Sequence, residues 1–197
     1  LHLRSVGDLS RLIDRVDDLA ERVLGLAFDG EGTRLAVAAG TPGVIGEATV
    51  VPQQPAEGAS AVAAPMSLGL ADDAFLAVAF SADGRRLVAA AADHSVRLYD
   101  AATGDPLIER ADHADWVQAV ALSPDGSRLV SGSRDATAKV VDLASETLLT
   151  TFSGHGEPVT AVCWLDDGSL VASGGADGVV RIWKAESGKQ VRKIEGF

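Results

Sequence analysis

The chain has 197 residues, enough for one large domain or two small ones and for a core that buries roughly 70% of the unfolded surface. Its formal net charge is −11 and no Lys/Arg cluster is longer than a pair, which argues against a phosphate-neutralising surface and hence against nucleic acid as a partner. One cysteine, Cys163, permits no internal disulfide and no cysteine-based zinc or haem motif.

No apolar run reaches the ~18 residues of a membrane span, so membrane insertion is not expected. The opening "LHLRS" is neither a start methionine nor a signal peptide. The chain therefore reads as a piece of something longer, its compartment open, with the cytoplasm the preferred reading.

Residues 1–21 carry two readings. Leu9, Leu12, Ile13, Val16 and Val23 have helical spacing, with Asp8 as an N-cap. "LHLRSVGDLSRLIDR" also aligns without a gap on "VRLYDAATGDPLIER" at 96–110, which makes it the last two strands of a preceding unit.

A unit over 22–73 begins with "VLGLAF" and the turn "DGEG". Measured from Gly30 it carries about twelve residues more than its successors, expected in "GTPGVIG" (40–46) and in the loop "VPQQPAEGAS" (51–60). The glycines weakly resemble a phosphate loop, yet no helix follows and no Lys-Ser/Thr pair closes it, so a decorated hairpin is the better reading.

Three regular units follow, at 74–115, 116–157 and 158–197. Their turns "SADG", "SPDG" and "LDDG" end at Gly84, Gly126 and Gly168, a step of 42 residues that Asp93, Asp135 and Asp177 repeat. Tyr99, Val141 and Trp183 keep the same interval, as do His113 and His155. Each unit holds four short strands joined by tight connections, which leaves no room for a crossover helix and dictates an antiparallel meander. The first strands, "VLGLAF", "FLAVAF", "VQAVAL" and "VTAVCW", are apolar almost throughout and are expected to be buried on both faces.

"SPDGSRLVSGSRD", the "GH" of Gly154 and His155, and "DGVVRIW" together resemble the WD-repeat (Trp-Asp) β-propeller family. The resemblance is strongest from Phe75 to Phe197, although no unit ends in the Trp-Asp pair itself. It implies an all-β propeller of four complete four-stranded antiparallel blades plus a partial N-terminal blade, a segment of a larger ring of about seven blades. Open ends would then each leave an apolar blade face, to be covered by flanking blades or a second chain.

The family also implies a buried tetrad in each blade, formed by a loop His, a Ser/Thr of the second strand, the turn Asp and the Trp of the third strand. Matched by position, the last unit supplies His155, Ser173, Asp177 and Trp183. The unit before it keeps His113, Ser131 and Asp135, with Val141 in place of the indole, and the Phe75 unit keeps Asp93. A Ser/His/Asp set of this kind also resembles a hydrolase triad, but no strained nucleophile turn or oxyanion hole accompanies it. No catalytic, cofactor-binding or metal-binding residue is assigned and no cofactor is expected.

What the resemblance implies for function is a non-catalytic scaffold for protein partners, assembling a multiprotein complex or serving as the interaction module of a larger protein. Partners would meet the residues just before the first strand, two residues on, and just before the turn Asp. These are Trp116, Gln118 and Arg134, then Pro158, Thr160 and Ala176. The alternatives are a propeller enzyme of the quinoprotein dehydrogenase type, because "DAATG" at 100–104 resembles a segment of that family, or a regulatory module of a larger enzyme.

Overall fold

The computed structural model describes residues 2–5, 8–15, 22–52, 64–165 and 167–196. Every regular element among them is a strand. Over the first two stretches, β1 (His2–Ser5) and β2 (Asp8–Arg15) pair antiparallel with two register shifts, so the backbone there is a hairpin and not the helix that the apolar spacing allowed. Two turns of amphipathic spacing do not sustain a helix in water, whereas pairing satisfies the same backbone groups at once.

Four antiparallel sheets of four strands follow, each ordered as in the chain. The first holds β3 (Val23–Phe28), β4 (Arg34–Thr41), β5 (Ile45–Pro52) and β6 (Met66–Ala71). The second holds β7 (Phe75–Phe80), β8 (Arg86–Ala91), β9 (Val96–Asp100) and β10 (Pro106–Arg110). The third is β11 (Val117–Leu122), β12 (Arg128–Ser133), β13 (Ala138–Asp142) and β14 (Thr147–Phe152). The fourth is β15 (Val159–Leu165), β16 (Leu170–Gly175), β17 (Val180–Lys184) and β18 (Gln190–Ile194).

The turn glycine of the first sheet is Gly32, not Gly30. Its N–H bonds Asp29 O, and its φ of 68° matches Gly84 at 67° and Gly126 at 70°. Only glycine takes that left-handed conformation without cost. Part of the insertion lengthens the β4–β5 hairpin, whose pairing Arg34↔Pro52 encloses four residues more than Arg86↔Asp100. Most of the loop at 51–60 lies outside the described residues.

Successive sheets stack face to face through their first strands: β7 lies on β3 and β4, β11 on β7 and β8, and β15 on β11 and β12. Each junction holds an apolar core, for example Ala36, Ala38 and Val50 against Phe75, Leu87 and Tyr99. An arginine at the start of the second strand ties the same junctions together. Arg34 donates to the carbonyls of Gly84 and Ala101 and lies over the Phe80 ring at 5.3 Å, Arg86 reaches Gly126 O, and Arg128 lies over Trp164. In the fourth sheet Leu170 takes that position.

The expected burial of the first strands on both faces holds for β7 and β11, which lie between two sheets and have no exposed residue, and fails for β3 and β15. The most buried strands are the second ones, β4, β8 and β12, while β3 and β15 are largely exposed. A second strand has a sheet neighbour on each edge. A first strand is an edge, and in β3 and β15 one face meets no further sheet among the described residues.

Candidate functional site

Each sheet has two ends. One carries the Asp-Gly turn between first and second strands, and the other carries the loop into the first strand beside the turn between second and third. The sequence-derived loop histidines, turn aspartates and partner-facing residues belong to the second end, and the tetrad serines and Trp183 lie on the strands that lead from it.

In the fourth sheet the structure brings together all four expected residues. Ser173 and Trp183 come from paired strands β16 and β17, and the indole Nε1–H donates to Ser173 Oγ at 3.1 Å. His155 Nε2 is 2.8 Å from the same oxygen, and its Nδ1 faces Asp177 at 3.2 Å. Glycine makes room for this: a Cβ at Gly175 would fall on His155 and Asp177, and one at Gly154 on the Phe152 ring. Phe152 in turn stacks on Trp183, ring centroids 4.9 Å apart and 4° from parallel.

The third sheet repeats the set without the indole. His113 Nδ1 lies 2.8 Å from Asp135 Oδ2, and Nε2 lies 2.8 Å from Ser131 Oγ. Val141 stands where Trp183 stands, and a small void lined by Val141, Leu129, Ser131, His113 and Arg110 remains beside it. In the second sheet Asp93 has no histidine partner among the described residues. Arg97 binds it at 2.7 Å, binds Glu109 at 2.9 Å and lies over the Phe75 ring.

Sequence reasoning missed these third-strand cations. Arg97, Lys139 and Arg181 recur at the same interval of 42, and that periodicity was the available signal. Arg181 donates to Asp177 Oδ2 at 2.6 Å, and Lys139 reaches the carbonyl of Asp112.

Electrostatics follow from burial. Desolvation pushes both His113 and His155 below the ordinary imidazole value, outweighing the attraction of Asp135 and Asp177. Burial opposes ionisation of Asp177, but the hydrogen bond and charge of Arg181 win and hold it at about 2; Asp135 is likewise held low by bonds from Thr137, Ala114 and His113.

A nucleophile needs an open approach and a hydrogen-bond pocket for the oxyanion. Ser131 and Ser173 are both buried, and Trp183 already donates to Ser173 Oγ. What the arrangement can do is lock a loop and a turn onto the sheet; it presents no serine to a substrate.

Outside the tetrads, the same end carries the polar residues expected to meet partners. Arg134 N–H donates to Trp116 O at 2.9 Å, and Ala176 N–H to Pro158 O at 2.8 Å, so the two trios occupy equivalent places. The Arg134 guanidinium lies over the Trp116 indole, 4.6 Å from its centroid. Gln118 sits at a register shift between Val117 and Ala119, a bulge that re-aims its side chain, and its Oε1 is buried without a partner. Thr160 sits at the matching bulge and its hydroxyl points to Gly174 O at 3.4 Å.

No group of His, Cys, Asp and Glu able to hold a metal occurs among the described residues, and none of their helices could cross a membrane, since they form none. A search of curated proteins returned no match. A family model described as "WD domain, G-beta repeat" matches three times, over residues 71–100, 104–142 and 146–184. Each of the last two matches takes the outer strand of one sheet together with the first three strands of the next, so every such repeat spans a junction between sheets. With more than half its length matched and four sheets stacked as propeller blades, the chain belongs to the WD40 family.

Proposed function

We propose that this chain is a non-catalytic scaffold that binds protein partners through the end carrying Trp116, Gln118, Arg134, Pro158, Thr160 and Ala176. WD40 repeats are in general protein-interaction modules, and the buried Ser/His/Asp sets here serve the blades. The observation that carries the reading is the Trp116–Arg134 pair. Arg134 is exposed, its guanidinium lies over an indole, and it is paired with no carboxylate among the described residues. Both residue types dominate interface hot spots, and stacking pre-orders the long arginine side chain before a partner arrives.

Quantitative affinity purification from the source cells tests this. Trp116→Ala and Arg134→Ala should each lose bound proteins that Arg85→Ala, at the opposite end of the blades, retains. An identical set of bound proteins for all three variants and the parent overturns it.

A further inference from the structure

We propose that the turn after β17 binds a carboxylate from outside the chain, in the place that an aspartate of the chain itself fills in the two preceding sheets. The site lies at the Asp-Gly end of the blades and is independent of the Trp116–Arg134 surface.

The third and fourth strands of the last three sheets are joined by the same turn. Gly188 N–H donates to Lys184 O at 2.9 Å and Lys184 N–H to Lys189 O at 3.0 Å, just as Gly104 N–H donates to Asp100 O and Asp100 N–H to Asp105 O, both at 2.9 Å. The left-handed residue of the turn is Gly104 (φ 80°), Glu146 (53°) and Gly188 (64°), again at an interval of 42.

What differs is the side chain that caps this backbone. Asp100 Oδ1 accepts the N–H groups of Ala102 and Thr103 at 2.8 and 3.0 Å. Asp142 Oδ1 accepts those of Ala144 and Ser145 at 3.2 and 2.8 Å, and the Ser145 hydroxyl at 2.7 Å. In the fourth sheet Lys184 stands at that position, and an ammonium accepts nothing. The N–H groups of Glu186 and Ser187 therefore have no acceptor among the described residues, and the Ser187 hydroxyl, which accepts Lys189 N–H at 3.4 Å, has none for its own proton. Successive N–H groups of a turn are a concave site for an anion.

The surroundings supply the countercharge. A cavity of about 550 Å³ lies beside the turn at the junction of the third and fourth sheets, lined by Lys184, Glu186, Ser187 and Asp167 of the fourth and by Arg128 of the third. Arg128 relates to this turn as Arg34 relates to Asp100. Arg34 bonds the carbonyl of Ala101, and bonds from Ala102 and Thr103, helped by the Arg34 charge, hold the Asp100 carboxyl below its ordinary value. The Arg128 guanidinium lies over the Trp164 ring at 5.4 Å, and neither it nor the Lys184 ammonium has a side-chain hydrogen bond or ion pair among the described residues. An incoming carboxylate thus meets two amides, a hydroxyl, an ammonium and a guanidinium already ordered by stacking. Asp167 and Glu186 balance the two cations, which favours a monocarboxylate over a polyanion.

The test follows the amide signals of the isotope-labelled full chain by nuclear magnetic resonance, at constant ionic strength, during titration with acetate, with the blocked peptide acetyl-Gly-Asp-Gly-amide and with inorganic phosphate. Both carboxylates should shift the Glu186 and Ser187 amides saturably and leave those of Ala144 and Ser145 unmoved, because Asp142 already occupies that turn. The tighter of the two identifies the source as a free acid or a partner's aspartate side chain. Lys184→Asp should reproduce the shift without ligand, raise the melting temperature, and weaken carboxylate binding about tenfold or more. No saturable shift, equal movement at Ala144 and Ser145, phosphate binding tighter than either carboxylate, or a Lys184→Asp chain that binds as the parent does overturns the proposal.

Discussion

Arg181 Nη1 lies 2.8 Å from His155 Nδ1. A guanidinium has no acceptor, so Nδ1 must accept, the ring is neutral, and its proton sits on Nε2, donated to Ser173 Oγ. His113 takes the opposite tautomer. Its Nδ1 is 2.8 Å from Asp135, and the nearby Lys139 ammonium binds the carbonyl of Asp112 instead of the ring, so Nδ1–H donates to the carboxylate and Nε2 accepts the Ser131 hydroxyl. Two blades with the same residues thus wire them in opposite directions, and the third-strand cation decides which.

Acid should destabilise the fold in two stages. Both histidines have folded values below 6.5, so the unfolded chain binds more protons as pH falls and stability is complete only above that value. Asp177, depressed from 3.8 to about 2, adds a second loss below its unfolded value. Thermal melts across a pH series should show a first decline beginning near pH 6.5, and the double variant His113→Gln, His155→Gln should flatten that stage alone. A parent melting temperature constant down to about pH 5 contradicts this.

Deletions in the fourth-sheet tetrad should cost stability in a defined order. Trp183→Phe keeps the stacking on Phe152 and removes one hydrogen bond, about 1 kcal/mol. His155→Ala leaves Ser173 and Arg181 short of partners, roughly 1–3 kcal/mol. Trp183→Ala adds a large cavity, roughly 3–5 kcal/mol. Urea unfolding of the three variants checks the order; His155→Ala with the parent's midpoint would remove the tetrad's structural role.

Ala136 has φ of 65° in the turn after Asp135, where the fourth sheet has Gly178 at 70°. An L-residue pays about 1–2 kcal/mol for that conformation, and glycine returns part of the gain as unfolded-state entropy. Ala136→Gly should therefore stabilise the chain by roughly 0.5–1 kcal/mol, read as a rise in melting temperature. A fall would mean that the Ala136 methyl packs more than the turn strains.

Strand number, meander topology and the tetrad set were legible because each rests on a 42-residue period that turn chemistry fixes locally. The turn of the first unit was misplaced by two residues because "DGEG" offers two glycines, and only the bond from Gly32 N–H to Asp29 O chooses between them. Burial of the first strands held for β7 and β11 and was misjudged for β3 and β15, for a different reason. Apolar content shows that a strand can be covered, but whether Leu26 and Phe28 are covered depends on what lies beyond them. Arg97, Lys139 and Arg181 escaped notice because charged residues on a third strand read as a solvated face until their aspartates and carbonyls are in place.

Hydrogen exchange on the chain bound to a protein that it captures tests the functional reading most directly. Binding at the proposed surface should slow exchange of the backbone amides at 114–118 and 134–136 and leave the Asp-Gly turns at 81–84 and 123–126 unchanged. Protection confined to those turns, with Trp116 and Arg134 exchanging as in the free chain, would contradict it.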